Sequence, residues 1–192
     1  MTTDGSAYHE GMRAVQDRFD TRRLADRLEQ VTYHETFWDG DRTFIESASM
    51  FFLATVDAEG HPDVSYKGGM PGFVKVVDER TLAFPSYDGN GQFRTLGNIL
   101  VNPHVALLFV DFEHPNRMRI TGRAELQEAG DDQSDALVVV RVDQVWPNCP
   151  RYVHKMTLEE HSAFAPRGGD YVPPVPEWKR MEFVADVLPE RR

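Results

Sequence analysis

The chain has little cysteine, little net basic charge and no long apolar run, and each lack excludes a class of protein. Cys149 is the single cysteine in 192 residues, so no intrachain disulfide can form, which fits a reducing compartment. No stretch approaches the ~20 apolar residues of a bilayer-spanning helix, so no membrane partner is expected. Met1 to Glu10 is acidic and polar where a signal peptide would carry a basic patch and an apolar core. The expected location is therefore cytoplasmic. Lys and Arg number 21 against 31 Asp and Glu, a net charge of −10. A nucleic-acid partner is not expected either, because a binder must neutralise phosphates with a basic face. A local basic site for one phosphate stays open.

Motifs are missing as well. His9, His34, His61, His104, His114, His154 and His161 lie at no zinc spacing, and one cysteine cannot complete a thiolate set, so no metal is expected. Asp57 and His61 read as turn residues. There is no Gly-x-Ser-x-Gly elbow and no Gly-x-Gly-x-x-Gly between strand and helix. Metal hydrolase, serine hydrolase and Rossmann readings all fail for want of residues.

What is present is an ordinary globular balance, 41% hydrophobic and 27% charged. Met12, Val15 and Phe19, then Leu24, Leu28 and Val31 after an Asp20-Thr21 cap, repeat at helical spacing. Arg13, Arg18, Arg22, Arg23 and Arg27 read as solvated faces of these helices. A third short helix is expected from Asp41 to Ala48. From Met50 the pattern turns to strands: 51–56, closed by the turn 57–60; 63–66; 73–77, turned at 78–80 into 81–84; 105–112; 117–124; and 136–146. One helix interrupts them, with Phe93, Leu96, Ile99 and Leu100 on one face and Asn90 or Gly91 at its cap. Asn102-Pro103 ends it. Short strands at close spacing around one helix suggest a closed or half-open antiparallel barrel. The chain divides into a helical extension packed on the barrel (1–44), a strand-rich domain (45–165) and a Pro/Gly-rich arm (166–192).

Three stretches could carry chemistry. In 65–73, Ser65-Tyr66-Lys67-Gly68-Gly69-Met70-Pro71-Gly72-Phe73, three glycines let the backbone approach a ligand. Lys67 and Ser65 beside them suit a phosphate or the polar edge of a flavin; a bulged hairpin turn with an exposed lysine fits equally. The stretch 85–95 joins a strand to a helix N-terminus, where free N–H groups favour an anion. Arg94 in the first turn opposes the helix dipole, a cost that a bound anion would offset. A plain capping loop looks similar. In 146–155, Arg151 and Lys155 could attract an anion while Trp146 or Tyr152 stacks on a planar ring; the other reading is a structural turn with a basic edge.

Taken in order, Phe51 to Asp57, Gly60-His61-Pro62-Asp63, Phe84-Pro85-Ser86, Arg94, Asn102-Pro103, 105–109 and Ile120 to Glu125 resemble the pyridoxamine 5'-phosphate oxidase-like flavoprotein family. The resemblance covers about Ile45 to Leu126. It implies a mainly β (α+β) fold: a six- to seven-stranded antiparallel split β-barrel of Greek-key type, with N-terminal helices and one helix between strands. It further implies a homodimer that builds its FMN sites at the interface. Cofactor contacts carried over are Ser65, Tyr66, Lys67 and Gly68, then Ser86, Asn90, Gln92, Phe93 and Arg94, with Arg94 on the phosphate. Arg117 or Arg119 would approach the flavin across the interface, and Arg151 joins them from the 146–155 stretch.

The implied function is an FMN-dependent oxidoreductase passing electrons from a reduced nicotinamide to a small acceptor or oxygen, with no side chain required as acid or base in the hydride step. Two other classes stay open: a module that sequesters flavin, haem or a deazaflavin, and an interaction protein with an empty barrel. Two departures from the family pattern matter. The tail Glu177-Trp178-Lys179-Arg180 lacks the Arg-x-His segment of the vitamin-B6 oxidases, and Ser65 stands where those enzymes carry a phosphate-binding arginine. The first argues against pyridoxamine phosphate as substrate; the second changes the expected phosphate contacts, where Lys67 could compensate.

Overall fold

The helical periodicities at the start of the chain become α1 (Glu10–Arg18), α2 (Arg22–Thr32) and α3 (Asp39–Ser47). The computed structural model describes residues 6–130, 133–168 and 170–189. Thr21 takes the N-cap position of α2 as its spacing predicts, although its hydroxyl donates to Gln16 O and not to the helix. The apolar faces of α1 and α2, however, remain largely exposed, from 44% at Met12 to 65% at Phe19. Polar contacts join the two helices instead: Arg13 pairs with Asp26 at 2.5 Å and lies over the Tyr8 ring. Arg13 is thus a half-buried latch and not a solvated charge. Below the helices, Tyr33 stacks on Trp146 with ring centroids 4.9 Å apart. His34 exchanges backbone hydrogen bonds with Val145.

Seven strands follow: β1 (Met50–Val56), β2 (Pro62–Gly68), β3 (Lys75–Val76), β4 (Thr81–Tyr87), β5 (His104–Asp111), β6 (Asn116–Gln127) and β7 (Ser134–Asn148). They form one antiparallel sheet in the order β2-β1-β5-β6-β7-β4-β3. A β5-β6-β7 meander is therefore flanked by the β1-β2 hairpin on one side and the β3-β4 hairpin on the other. The helix α4 (Arg94–Val101) carries the chain from β4 back to β5.

The sheet is curled. Phe51 on β1 and Phe84 on β4 lie four strand steps apart, which in a flat sheet would separate them by roughly 19 Å. Their rings meet edge to face at 4.9 Å. Phe73 and Phe109 complete the cluster around Phe51, at 5.9 and 4.9 Å. Aromatic packing at the barrel axis thus draws the two ends of the sheet together into a split barrel. A bulge that leaves Asp143 of β7 unpaired, opposite the Thr121–Gly122 step of β6, sharpens the curl of the sheet. A Cβ on Gly122 would stand 2.4 Å from the Arg141 carbonyl oxygen, so only glycine fits there.

Local expectations differ from the structure at three points. The run 73–77 reads as a strand, but only Lys75–Val76 pair; Phe73 and Val74 leave the ladder to plug the core, and the Phe73 N–H closes a turn on Met70 O at 2.9 Å. The cap of α4 is Phe93, not Asn90 or Gly91, because Asn90 Oδ1 is taken up by the Gln92 N–H within the loop. The buried face of α4 is Thr95 and Ile99, whereas Phe93 and Leu100 are exposed. Asn98 explains the rotation by donating to the buried Thr55 hydroxyl of β1 at 3.0 Å. The Asp57 carboxylate accepts from the Glu59 and His61 N–H groups, as a turn residue should. No helix among the described residues is long and apolar enough to cross a membrane.

Candidate functional site

Where the sheet ends approach each other, a cavity of about 470 Å³ opens between β2, the end of β4, the loop before α4 and the first turn of α4. That volume lies within the usual range for small-molecule sites. Alternation along β2 aims Asp63, Ser65 and Lys67 to one side, toward α4. Ser65 Oγ lies 3.2 Å from Thr95 Oγ1, and the Lys67 ammonium donates to the same hydroxyl at 3.4 Å. Burial pulls the Lys67 pKa below the ordinary lysine range, partly opposed by the nearby Asp63 carboxylate. Arg94 Nη2 stands 3.7 Å from Asp63 Oδ1, with the guanidinium 69% exposed and the carboxylate 24%. A second carboxylate, Asp135 of β7, lines the far side.

The loop from Asp88 to Phe93 forms one wall. Gly91 and Phe93 both take positive φ, 73° and 50°. This left-handed geometry costs glycine little but is uncommon for phenylalanine. From the C-terminal arm, Lys179 reaches the Asp88 carboxylate and ties the arm to this loop. Chemically the cavity offers two cations, three hydroxyls (Ser65, Ser86, Thr95) and the free N–H groups of a helix start. An anionic group on a ligand would find donors there.

The predicted contacts Ser65, Tyr66, Lys67, Gly68, Ser86, Asn90, Gln92, Phe93 and Arg94 all line this cavity. Arg117, Arg119 and Arg151 do not. Met118 and Ile120 point into the core, so Arg117 and Arg119 alternate to the outer face of β6. Arg151 is exposed beyond the end of β7. Asp63, Thr95 and Asp135 line the cavity too, beyond the expected cofactor contacts. Two-residue spacing from Ser65 and Lys67 marks Asp63 in the sequence, since it puts all three on the same strand face. Asp135 comes from a distant strand, and no local signal marks it.

The family profile for pyridoxamine 5'-phosphate oxidase matches residues 37–164, from just before α3 through the barrel and beyond. The chain belongs to the pyridoxamine 5'-phosphate oxidase family. Within this family it is 33% identical over 143 residues to a pyridoxine/pyridoxamine 5'-phosphate oxidase of Burkholderia multivorans, covering 71% of this chain and 62% of that protein. A Burkholderia vietnamiensis protein of the same name is 31% identical with the same coverage. The chain thus spans about three fifths of the length of these curated relatives. Among solved structures, HupZ of Group A Streptococcus superposes with a TM-score of 0.48 at 22% identity, over 58% of this chain and 93% of that one. The family match takes in the β2 and α4 residues that line the cavity, including Lys67 and Arg94.

Proposed function

We propose that this chain is an FMN-dependent oxidoreductase that takes electrons from a reduced nicotinamide and delivers them to a small-molecule acceptor or oxygen. The observation that carries the reading is the pairing of Lys67 and Arg94 with the Ser65, Ser86 and Thr95 hydroxyls in one cavity of a family member. That donor set fits a phosphate monoester. FMN, when bound, would supply the redox-active ring.

The chain's own residues bind, orient and shield. Arg94 and Lys67 grip the phosphate by charge, and the three hydroxyls fix its direction. Phe93, half-exposed at the cavity lip, offers apolar surface to a planar ring. The second copy of the chain completes each site. In the protomer the outer sheet face exposes Val64 and Tyr66, at 67% and 62%, beside Phe52 and Leu108 in register. Such a patch calls for a covering partner, and the homodimer supplies it. Arg117 and Arg119 share that outer face, and the Arg117 Nε is buried without a hydrogen-bond partner. In the dimer Arg117 or Arg119, with Arg151, approaches the neighbouring flavin.

The test is the visible spectrum of the purified protein, followed by stopped-flow reduction with NADH and NADPH. A flavin spectrum that bleaches with one of them supports the proposal. Protein that stays colourless after FMN is added overturns it. A bound flavin that neither nicotinamide reduces would make the chain a flavin carrier without turnover.

A further inference from the structure

Resting on the flavin reading above, we infer that Asp63 is a built-in competitor for the ligand's phosphate, an internal counter-ion that the cavity's cations hold until an anion displaces it. Asp63, Ser65 and Lys67 follow one another on the same face of β2, so a carboxylate, a hydroxyl and an ammonium stand in a row opposite the first turn of α4. The carboxylate is 3.7 Å from the Arg94 guanidinium. Its charge also acts on Lys67, where it favours the protonated amine against the effect of burial. One anion therefore serves both cations that a phosphate would need.

Among the described residues no hydrogen bond ties the Asp63 side chain down. Among the described residues its carboxylate caps no helix and closes no turn, and its partner is the Arg94 ion pair. A pair of that length beside solvent is weak. A phosphate can replace it with shorter, charge-assisted hydrogen bonds. A phosphomonoester brings about −1.5 to −2 charges, so it must drive Asp63 away or lie beside a like charge. The consequence is a lowered phosphate contribution to affinity and a cofactor that exchanges with the pool.

Full-length protein and the variants D63N and D63E are titrated with FMN, riboflavin and inorganic phosphate. Riboflavin lacks the phosphate, so the riboflavin-to-FMN ratio of Kd values isolates its contribution. D63N should raise that ratio on the order of fivefold with riboflavin binding unchanged, and D63E should return it toward the starting value. A ratio that is unchanged or lower in D63N overturns the inference. If no protein binds either flavin, the flavin reading fails by itself. The inference is then decided by phosphate, measured through side-chain NMR signals of Lys67 and Arg94: tighter binding in D63N upholds it, equal binding refutes it. D63S gives the same readout should D63N not fold.

Discussion

The Lys67 ammonium and the Thr95 hydroxyl meet at 3.4 Å, joining the edge strand β2 to the first turn of α4 across the mouth of the barrel. Ser65 meets the same hydroxyl at 3.2 Å. Thr95 is therefore the point at which strand and helix are spaced to form a cavity, and its burial among polar groups is explained by those partners. Replacing Lys67 by Met or Arg94 by Ala should each remove one charged contact to a phosphate, about 1.5–3 kcal/mol. FMN affinity should fall roughly ten- to hundredfold by fluorescence titration, while riboflavin affinity stays within about twofold. Equal losses for both flavins would place the phosphate elsewhere.

The lowered pKa of Lys67 sets a pH dependence. Burial disfavours the charged amine in the free protein, whereas a bound phosphate favours it, so binding takes up a proton. FMN affinity should be full below the free-protein pKa of Lys67 and fall as pH rises through it. The decline should level off above the higher pKa of the complex. Its onset should come at lower pH than an ordinary lysine would give, and Lys67→Met should abolish it.

Asp41 is buried at the start of α3, where its carboxylate accepts the Trp38 N–H at 2.8 Å and lies 2.7 Å from His34 Nε2. His34 in turn bridges to β7. Asp41→Ala would leave the Trp38 N–H and the half-buried His34 ring without this partner, so urea denaturation should show a loss of about 1–3 kcal/mol. An unchanged midpoint would mean that the helices contribute nothing to barrel stability.

Phe51 holds the curled sheet together, in contact with Phe73, Phe84 and Phe109 and fully buried. Phe51→Ala should cost about 3–5 kcal/mol, read as a lower midpoint in thermal or chemical denaturation. Phe51→Leu, which fills more of the space, should lose less.

Sedimentation tests the shared site. The protein should run at twice the 21.9 kDa chain mass, and Val64→Glu, a charge on the outer face of β2, should yield monomers. If those monomers keep full FMN affinity, the second copy contributes nothing to the cavity.

Much of this molecule is written locally. Helical spacing and Thr21 place α2, short apolar runs place β1 and β5, alternation places β6, and Asn102-Pro103 ends α4 near its observed close. Lys67 and Arg94 stand out because glycines and a strand-to-helix turn surround them. These features depend on neighbours a few residues apart, and such patterns survive without knowledge of the rest of the chain. Tertiary packing decided the remainder. Phe73 and Val74 read as strand but fill the barrel axis, because burying an aromatic ring there outweighs two ladder positions. The expected face of α4 is rotated, with Leu96 and Ile99 kept on the core, Leu100 exposed and Thr95 buried, since Thr55, Ser65 and Lys67 arrive from other strands to meet its polar side. The meeting of Asp63 with Arg94, in a cavity that Asp135 also lines, depends on sheet curvature, a sum of small twists and bulges that no short window of sequence contains.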